Sequence, residues 1–362
     1  MEAPTRPLGL KSFRAPFGDA APAAFIQWSG GAARMGTVEQ GAKNAVEVCM
    51  AVKPGESVIL VTDRLVPQVG DALERASRRV TDKVTRIALE DYGARPLLEL
   101  PPALAQAAER ADVSFWAAAS VKGELPMRMA YRKHLKRARH GHMPGITTQL
   151  MEMGMCADYD QVADLTNRLF KRVQGARRAR VQNANGTDFE VLFHPDWKWL
   201  PDTGKFHTPG SWGNLPAGEV YTAPVWLHGR IVTNLLGDYF SEKFKELKPP
   251  LAFDVKDSRI ALDSITGASP EVVREFREYV TSDPMGVRAG EFAMGTNLAL
   301  TRLVGNLLQD EKIPGVHVAF GHPYSDETGA PWTARTHVDV VMLETDVWLD
   351  GVKVQERGHY LL

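Results

Sequence analysis

Two histidines stand inside alternating apolar runs, His317 in V-H-V-A-F and His337 in T-H-V-D-V-V. Successive side chains of a strand alternate between faces, so His337 and Asp339 point the same way. Their Cα atoms lie about 7 Å apart by strand rise. Imidazole nitrogen beside carboxylate oxygen is a donor set for zinc, manganese, cobalt or ferrous iron. Taken singly, each histidine reads as an ordinary core residue. The H-x-D pair with a second strand histidine nearby points instead to a metal cavity.

Acidic residues in apolar settings add to that set. Glu219 follows a Pro-Gly turn in N-L-P-A-G-E-V-Y-T-A-P, and Glu291 stands between a glycine and an apolar triplet in G-E-F-A-M-G-T-N. Neither belongs to a charged helix face, and burying an unpaired carboxylate costs several kcal/mol. Glu311, in L-L-Q-D-E-K-I-P-G-V-H, also reads as an ordinary charge cluster at a helix end. Tyr324 lies in the loop G-H-P-Y-S-D-E, next to the suspected cavity. Three or four carboxylates with two histidines exceed what one zinc needs. They suit two divalent ions bridged by a carboxylate, which acidify a water and polarise a carbonyl. A His317, His337, Asp339 set with idle glutamates would instead be a facial triad for ferrous iron and oxygen.

Other candidates carry less. Ser211 in P-G-S-W-G-N has no nucleophile-elbow pattern. His134, His140 and His142 lie close to five basic residues, which disfavour a cation. The basic run 131–140 reads mainly as a solvated helix face. The tripeptide D-T-G at Asp202 occurs without the second copy that a shared-proton mechanism requires. Trp197, Trp199, Trp212 and Trp226 cluster in sequence and are candidates to line a substrate pocket.

The elements that must position these residues come from two grammars. In the first half S-V-I-L-V-T-D and later β-branched runs alternate with helical spacing, which predicts a parallel sheet with crossovers. No glycine-rich phosphate motif follows its first strand. The second half reads as hairpins, short strands, a helix opened by Ser269-Pro270-Glu271, and a helix-like stretch over 298–308. The expected organisation is an irregular arm over 1–35, an α/β domain with a parallel sheet over 36–175, and an α+β metal-binding catalytic domain over 176–362. With 362 residues, 44% hydrophobic and net charge −1, the chain reads as a two-domain globular protein that binds neither nucleic acid nor membrane. Two cysteines without C-x-x-C spacing, no signal pattern and no membrane-length apolar run predict a cytoplasmic protein.

In order, N-L-P-A-G-E-V-Y-T-A-P, G-E-F-A-M-G-T-N, D-E-K-I-P-G-V-H-V-A-F-G, T-H-V-D-V-V-M and D-G-V-K-V resemble motifs of the M29 metallo-aminopeptidases, the aminopeptidase T and aminopeptidase S family. The resemblance covers about 150 residues of the C-terminal half. It implies a two-domain homodimer that removes N-terminal residues from peptides at a dinuclear zinc, cobalt or manganese centre with metal-bound hydroxide. It also implies Glu219 as bridging carboxylate, Glu291, Glu311, His317, His337 and Asp339 as the other ligands, and Tyr324 as catalytic tyrosine. A relative of that family, 2,5-dihydroxypyridine 5,6-dioxygenase, uses one ferrous iron on a His, His, Asp set. Its pattern lacks the glutamate that this chain has at Glu219, so hydrolysis is the expected chemistry and ring cleavage the alternative.

Overall fold

The computed structural model describes residues 35–237 and 239–362. The expected N-terminal arm, apart from its last residue, lies outside them. Strands are numbered in chain order.

Five parallel strands form the first sheet: β1 (Val58–Thr62), β2 (Val84–Ala88), β3 (Val113–Ala118), β4 (Arg139–Pro144) and β8 (Trp212–Asn214), in the order β2-β1-β3-β4-β8. Its centre is buried on both faces, as the continuous apolar run predicts. Val58 and Leu60 of β1 enter one core with Val69 and Leu73 of the helix Pro67–Arg78. Ile59 and Val61 enter another, with Leu104 of the helix Pro102–Arg110 and Tyr131 of the helix Leu125–His134.

Two features depart from the sequence reading. The edge strand β8 comes from well beyond residue 175. The basic run is not one solvated helix face either: its helix stops at His134, and Arg139 and His140 belong to β4. Arg139 is buried against Glu56 at 2.6 Å. His140 and His142 are buried in a polar chain, Tyr131 Oη to Ser114 Oγ (2.8 Å), Ser114 Oγ to His140 Nδ1 (3.1 Å), and His140 Nε2 to His142 Nδ1 (3.1 Å).

The second half builds two antiparallel sheets. One is ordered β13-β12-β10-β6-β5-β17-β18-β19, from β5 (Arg178–Gln182), β6 (Asp188–Phe193), β10 (Pro224–Thr233), β12 (Leu251–Lys256), β13 (Arg259–Ile260), β17 (Asp346–Leu349), β18 (Val352–Glu356) and β19 (His359–Tyr360). The other, ordered β11-β16-β15-β14-β9-β7, consists of β7 (Leu200–Asp202), β9 (Glu219–Thr222), β11 (Leu235–Leu236), β14 (Ala289–Gly295), β15 (Gly315–Gly321) and β16 (His337–Leu343). One core joins them, with Val191, Leu227 and Phe253 of the first meeting Phe292, Val318, Phe320 and Val340 of the second. The helix Pro270–Thr281, capped by Ser269 Oγ as its sequence predicts, adds Val272, Phe276 and Val280.

The helix expected over 298–308 shrinks to Leu307–Asp310. The Asp310 carboxylate accepts the backbone N–H groups of Val304, Gly305 and Asn306 at 2.8–3.1 Å. That gathers the chain into a loop, an arrangement that competes with helix. No described helix is long and apolar enough to cross a membrane.

Burial holds the His140 imidazole down at about 3 and His142 well below its ordinary value. Both are therefore neutral in the fold, whereas unfolded histidines take up protons below about pH 6.5. A depressed base contributes stability fully above that pH and loses it as pH falls toward 3. His140 alone should cost about 2 kcal/mol between pH 7 and pH 5. Urea unfolding at the two pH values should show this loss, and His140→Asn should reduce it. An unreduced loss in that variant would assign acid sensitivity elsewhere.

Candidate metal centre

The β9–β14–β15–β16 sheet has one face in the core. Its other face carries Glu219 and Tyr221 from β9, Glu291 and Ala293 from β14, His317 and Ala319 from β15, and His337 and Asp339 from β16. Registers place large polar side chains opposite small ones: Glu219 opposite Gly295, His317 opposite Ala293, Asp339 opposite Ala319, His337 opposite Gly321. The floor is thus lined by alanine and glycine, leaving space above it for a cluster.

Glu291 reaches this face through a bulge. Ala289 is buried in the core opposite Phe320, and strict alternation would send Glu291 the same way. The ladder slips between Ala289 and Glu291, so Glu291 lies opposite Ala319 instead. The extra residue is Gly290, where a Cβ would come within 2.6 Å of the Gly321 carbonyl oxygen. At the start of β9, Gly218 has φ +124, a conformation that aims Glu219 and suits glycine.

All seven residues singled out from the sequence meet around one pocket of about 320 Å³. Glu219, Glu291, Glu311, His317 and Asp339 are buried, and His337 is half-buried. His317 Nε2 lies 3.3 Å from Glu219 Oε2 and 3.8 Å from Glu291 Oε1. His337 Nε2 lies 3.4 Å from Glu291 Oε2 and 3.6 Å from Asp339 Oδ2. Glu291 therefore spans the two imidazoles. His337 Nδ1 donates to the His322 carbonyl oxygen at 2.9 Å, which turns Nε2 toward the carboxylates. Glu311 arrives from the loop that Asp310 shapes. Tyr324, 36% exposed, brings its hydroxyl within 3.4 Å of His337 Nε2.

Three donor groups have ligand atoms within 4.8 Å of one another: Glu219, Glu291 and His317; Glu291, His337 and Asp339; Glu311, His317 and Asp339. Each holds one histidine and at least one carboxylate, donors that suit a divalent transition metal. Glu219 Oε2 and His317 Nδ1 are buried without a hydrogen-bond partner. A cation at the first group would satisfy the former, so these residues fit a metal.

Three further residues at this site escape sequence reasoning, Asp202 and Tyr221 on the pocket wall and Lys312 buried behind it. Lys312, fully buried, places its ammonium 2.5 Å from Glu219 Oε1 and 2.7 Å from Glu311 Oε1. In the sequence it is the third residue of D-E-K, which reads as an exposed helix end. Asp202, the aspartate of D-T-G, closes β7 opposite Glu219. Tyr221 donates to Glu327 Oε2 at 2.8 Å, and its ring packs edge-on to Tyr324. Of the four tryptophans only Trp212 lines this pocket. Trp199 packs on Phe193 and Phe292, Trp197 on His194 and Trp332, and Trp226 on His228. A larger hollow of about 420 Å³ beside the helix Tyr159–Val173 contains none of the candidate ligands.

Burial lifts the Asp202 and Glu311 carboxyls, each to about 7. Burial opposes charge on Lys312 and His317 as well, but neighbouring carboxylates outweigh it. They raise His317 to about 9 and keep Lys312 charged. Glu291 is also desolvated, yet its contacts with both histidines hold it well below the usual carboxylate range.

No family model matches this chain, and no curated protein matches it. Its fold is similar to two solved structures. One is AmpT from Thermus thermophilus, an M29 aminopeptidase, at TM-score 0.66 and 16% identity over 90% of this chain and 99% of that one. The other is 2,5-dihydroxypyridine dioxygenase from Pseudomonas putida KT2440, at TM-score 0.64 and 17% identity over 89% and 96%. Both likenesses are likenesses of fold.

Lys312→Met should leave Glu219 and Glu311 buried without their cation. Removing one partner of a buried pair costs about 3–5 kcal/mol. Urea unfolding in the presence of a chelator should show a loss of that order, and added divalent ion should restore part of it. An unchanged midpoint would mean that the carboxylates do not depend on this ammonium.

Proposed function

We propose that this protein is a metal-dependent hydrolase that removes N-terminal residues from peptides. The observation that carries the reading is the pair of carboxylate–histidine groups sharing Glu291. We assign one divalent ion, zinc, cobalt or manganese, to each group, and the catalytic part of the chain to residues 176–362. Glu219, Glu291, Glu311, His317, His337 and Asp339 would hold the ions. Glu291 lies between the imidazoles and belongs to both groups, so it would serve both ions, the part that the motif resemblance gives to Glu219.

Charge supports two ions over one. The three donor groups contain four carboxylates, Glu219, Glu291, Glu311 and Asp339, against a single ammonium, that of Lys312, which is more acid than one divalent cation needs. When bound, the ions polarise a carbonyl and acidify a water. The protein's own groups do the rest. Lys312 holds Glu219 and Glu311 in position. The His322 carbonyl fixes the ring of His337. Although the Tyr324 residue is 36% exposed, its hydroxyl lies over the buried acids, and desolvation there together with Glu291 and Asp339 keeps the phenol protonated, well above its ordinary value. It is available to donate a hydrogen bond to the oxyanion that develops at the scissile carbonyl.

The protein saturated with divalent ion should contain two ions per chain by elemental analysis and should release N-terminal residues from peptides. One iron per chain, with oxygen uptake on a dihydroxypyridine and no peptidase activity, would replace this reading with the ring-cleaving one.

His337→Ala and Asp339→Ala should each lose metal and at least a hundredfold in turnover, since losing even an outer-shell partner of a metal ligand costs roughly 10–100-fold. His322→Ala should be mild. It removes the ring that accepts the Tyr324 N–H but leaves the carbonyl that orients His337. If His322→Ala strips the metal while Asp339→Ala retains it, the ligand assignment is wrong.

A further inference from the structure

One acid on the pocket wall belongs to none of the three donor groups. Asp202 ends β7, and its register partner across the ladder is Glu219. Cross-strand neighbours hold Cβ atoms about 5 Å apart, so its carboxyl stands one strand beyond a candidate ligand. Asp202 is 9% exposed. Its Oδ1 accepts the Gly204 N–H at 3.2 Å. Among the described residues nothing donates to Oδ2 or pairs with it, and Lys312 is committed to Glu219 and Glu311. From Asp202 the pocket continues past Phe206, Trp212 and Asn214.

We propose that Asp202 receives the free α-ammonium group of the substrate and so restricts the enzyme to chain ends. This rests on the aminopeptidase reading above. The α-nitrogen and carbonyl carbon of one residue lie about 2.5 Å apart. A carboxylate one strand from the metal ligands therefore holds the ammonium while the adjoining carbonyl meets the centre. An internal residue presents an uncharged, chain-bearing amide at that point and leaves the buried carboxylate unpaired. Leaving a buried charge without its partner is how a polar site rejects the wrong substrate. The position of Asp202 outside the donor groups separates this role from metal ligation.

The test is Asp202→Asn, which keeps an oxygen for the Gly204 N–H. Two probes are titrated calorimetrically into the metal-loaded protein: leucine hydroxamate and its desamino analogue, 4-methylpentanohydroxamic acid. The unaltered protein should prefer leucine hydroxamate by roughly 10- to 100-fold, the worth of a charged hydrogen bond. The variant should keep its metal and its affinity for the desamino probe, and its preference should fall below about threefold. A preserved preference, or loss of metal, overturns the assignment. Peptidase assays separate the two levels of inference. If the unaltered protein removes N-terminal residues and the variant keeps its preference, only the Asp202 role fails. If the unaltered protein cleaves no peptide, the aminopeptidase reading fails and takes this inference with it.

Discussion

Like charges gathered out of water are the constraint to which everything else here answers. Asp202, Glu219, Glu291, Glu311 and Asp339 share one pocket wall, each largely removed from solvent. Such a group persists only with cations among its members. The protein supplies a fixed one, the Lys312 ammonium, and two imidazoles that proton or metal can charge. Burial pushes Asp202 and Glu311 toward neutrality, while the histidines keep Glu291 ionised. One wall thus holds carboxyls of opposite tendency, the condition under which acid, base and ligand roles separate.

That wall stands because the reverse of the same sheet is a packed core. Phe292, Val318, Phe320, Val338 and Val340 fix the strands from behind. Close packing gives the side that carries the histidines and carboxylates little freedom to drift. Ala293 and Ala319 do the complementary work in front as the small register partners of His317 and Asp339, while a Cβ at Gly295 or Gly321 would run into the backbone of Ile313 or Thr336. Gly237 serves similarly at the rim: a Cβ on it would come within 2.9 Å of Asp339 Oδ2.

Part of this could be read from the residues alone. The period of two put His337 and Asp339 on one face, and the continuous run at 58–62 marked a strand buried on both sides. Glutamates in apolar context led to Glu219 and Glu291. Period could not show which way Glu291 points, because the slip at Gly290 overrides alternation and becomes visible only in the pairing with β15. Lys312 was hidden for a different reason. Its neighbours in sequence suggest a solvated helix end, whereas its energetic partner Glu219 is 93 positions away. The expected helix over 298–308 lost to Asp310, whose carboxylate captures three backbone amides. Arg139 and His140 looked like the tail of a basic helix because the partners of their strand, β3 and β8, are supplied by distant chain.

The donors are dealt out among separate strands, one or two to each, with Glu311 on a loop of its own. No two neighbouring positions carry a donor, and each intervening residue belongs to the core behind. A lineage can therefore exchange a donor on one strand without disturbing the apolar packing that supports the others. Such a scaffold permits piecemeal editing at Glu291, His317, His337 and Asp339, whereas Glu219 and Glu311 are tied to the buried Lys312 ammonium and change only together with it. A sheet of this construction is a natural host for more than one chemistry, with the difference written in a few side chains.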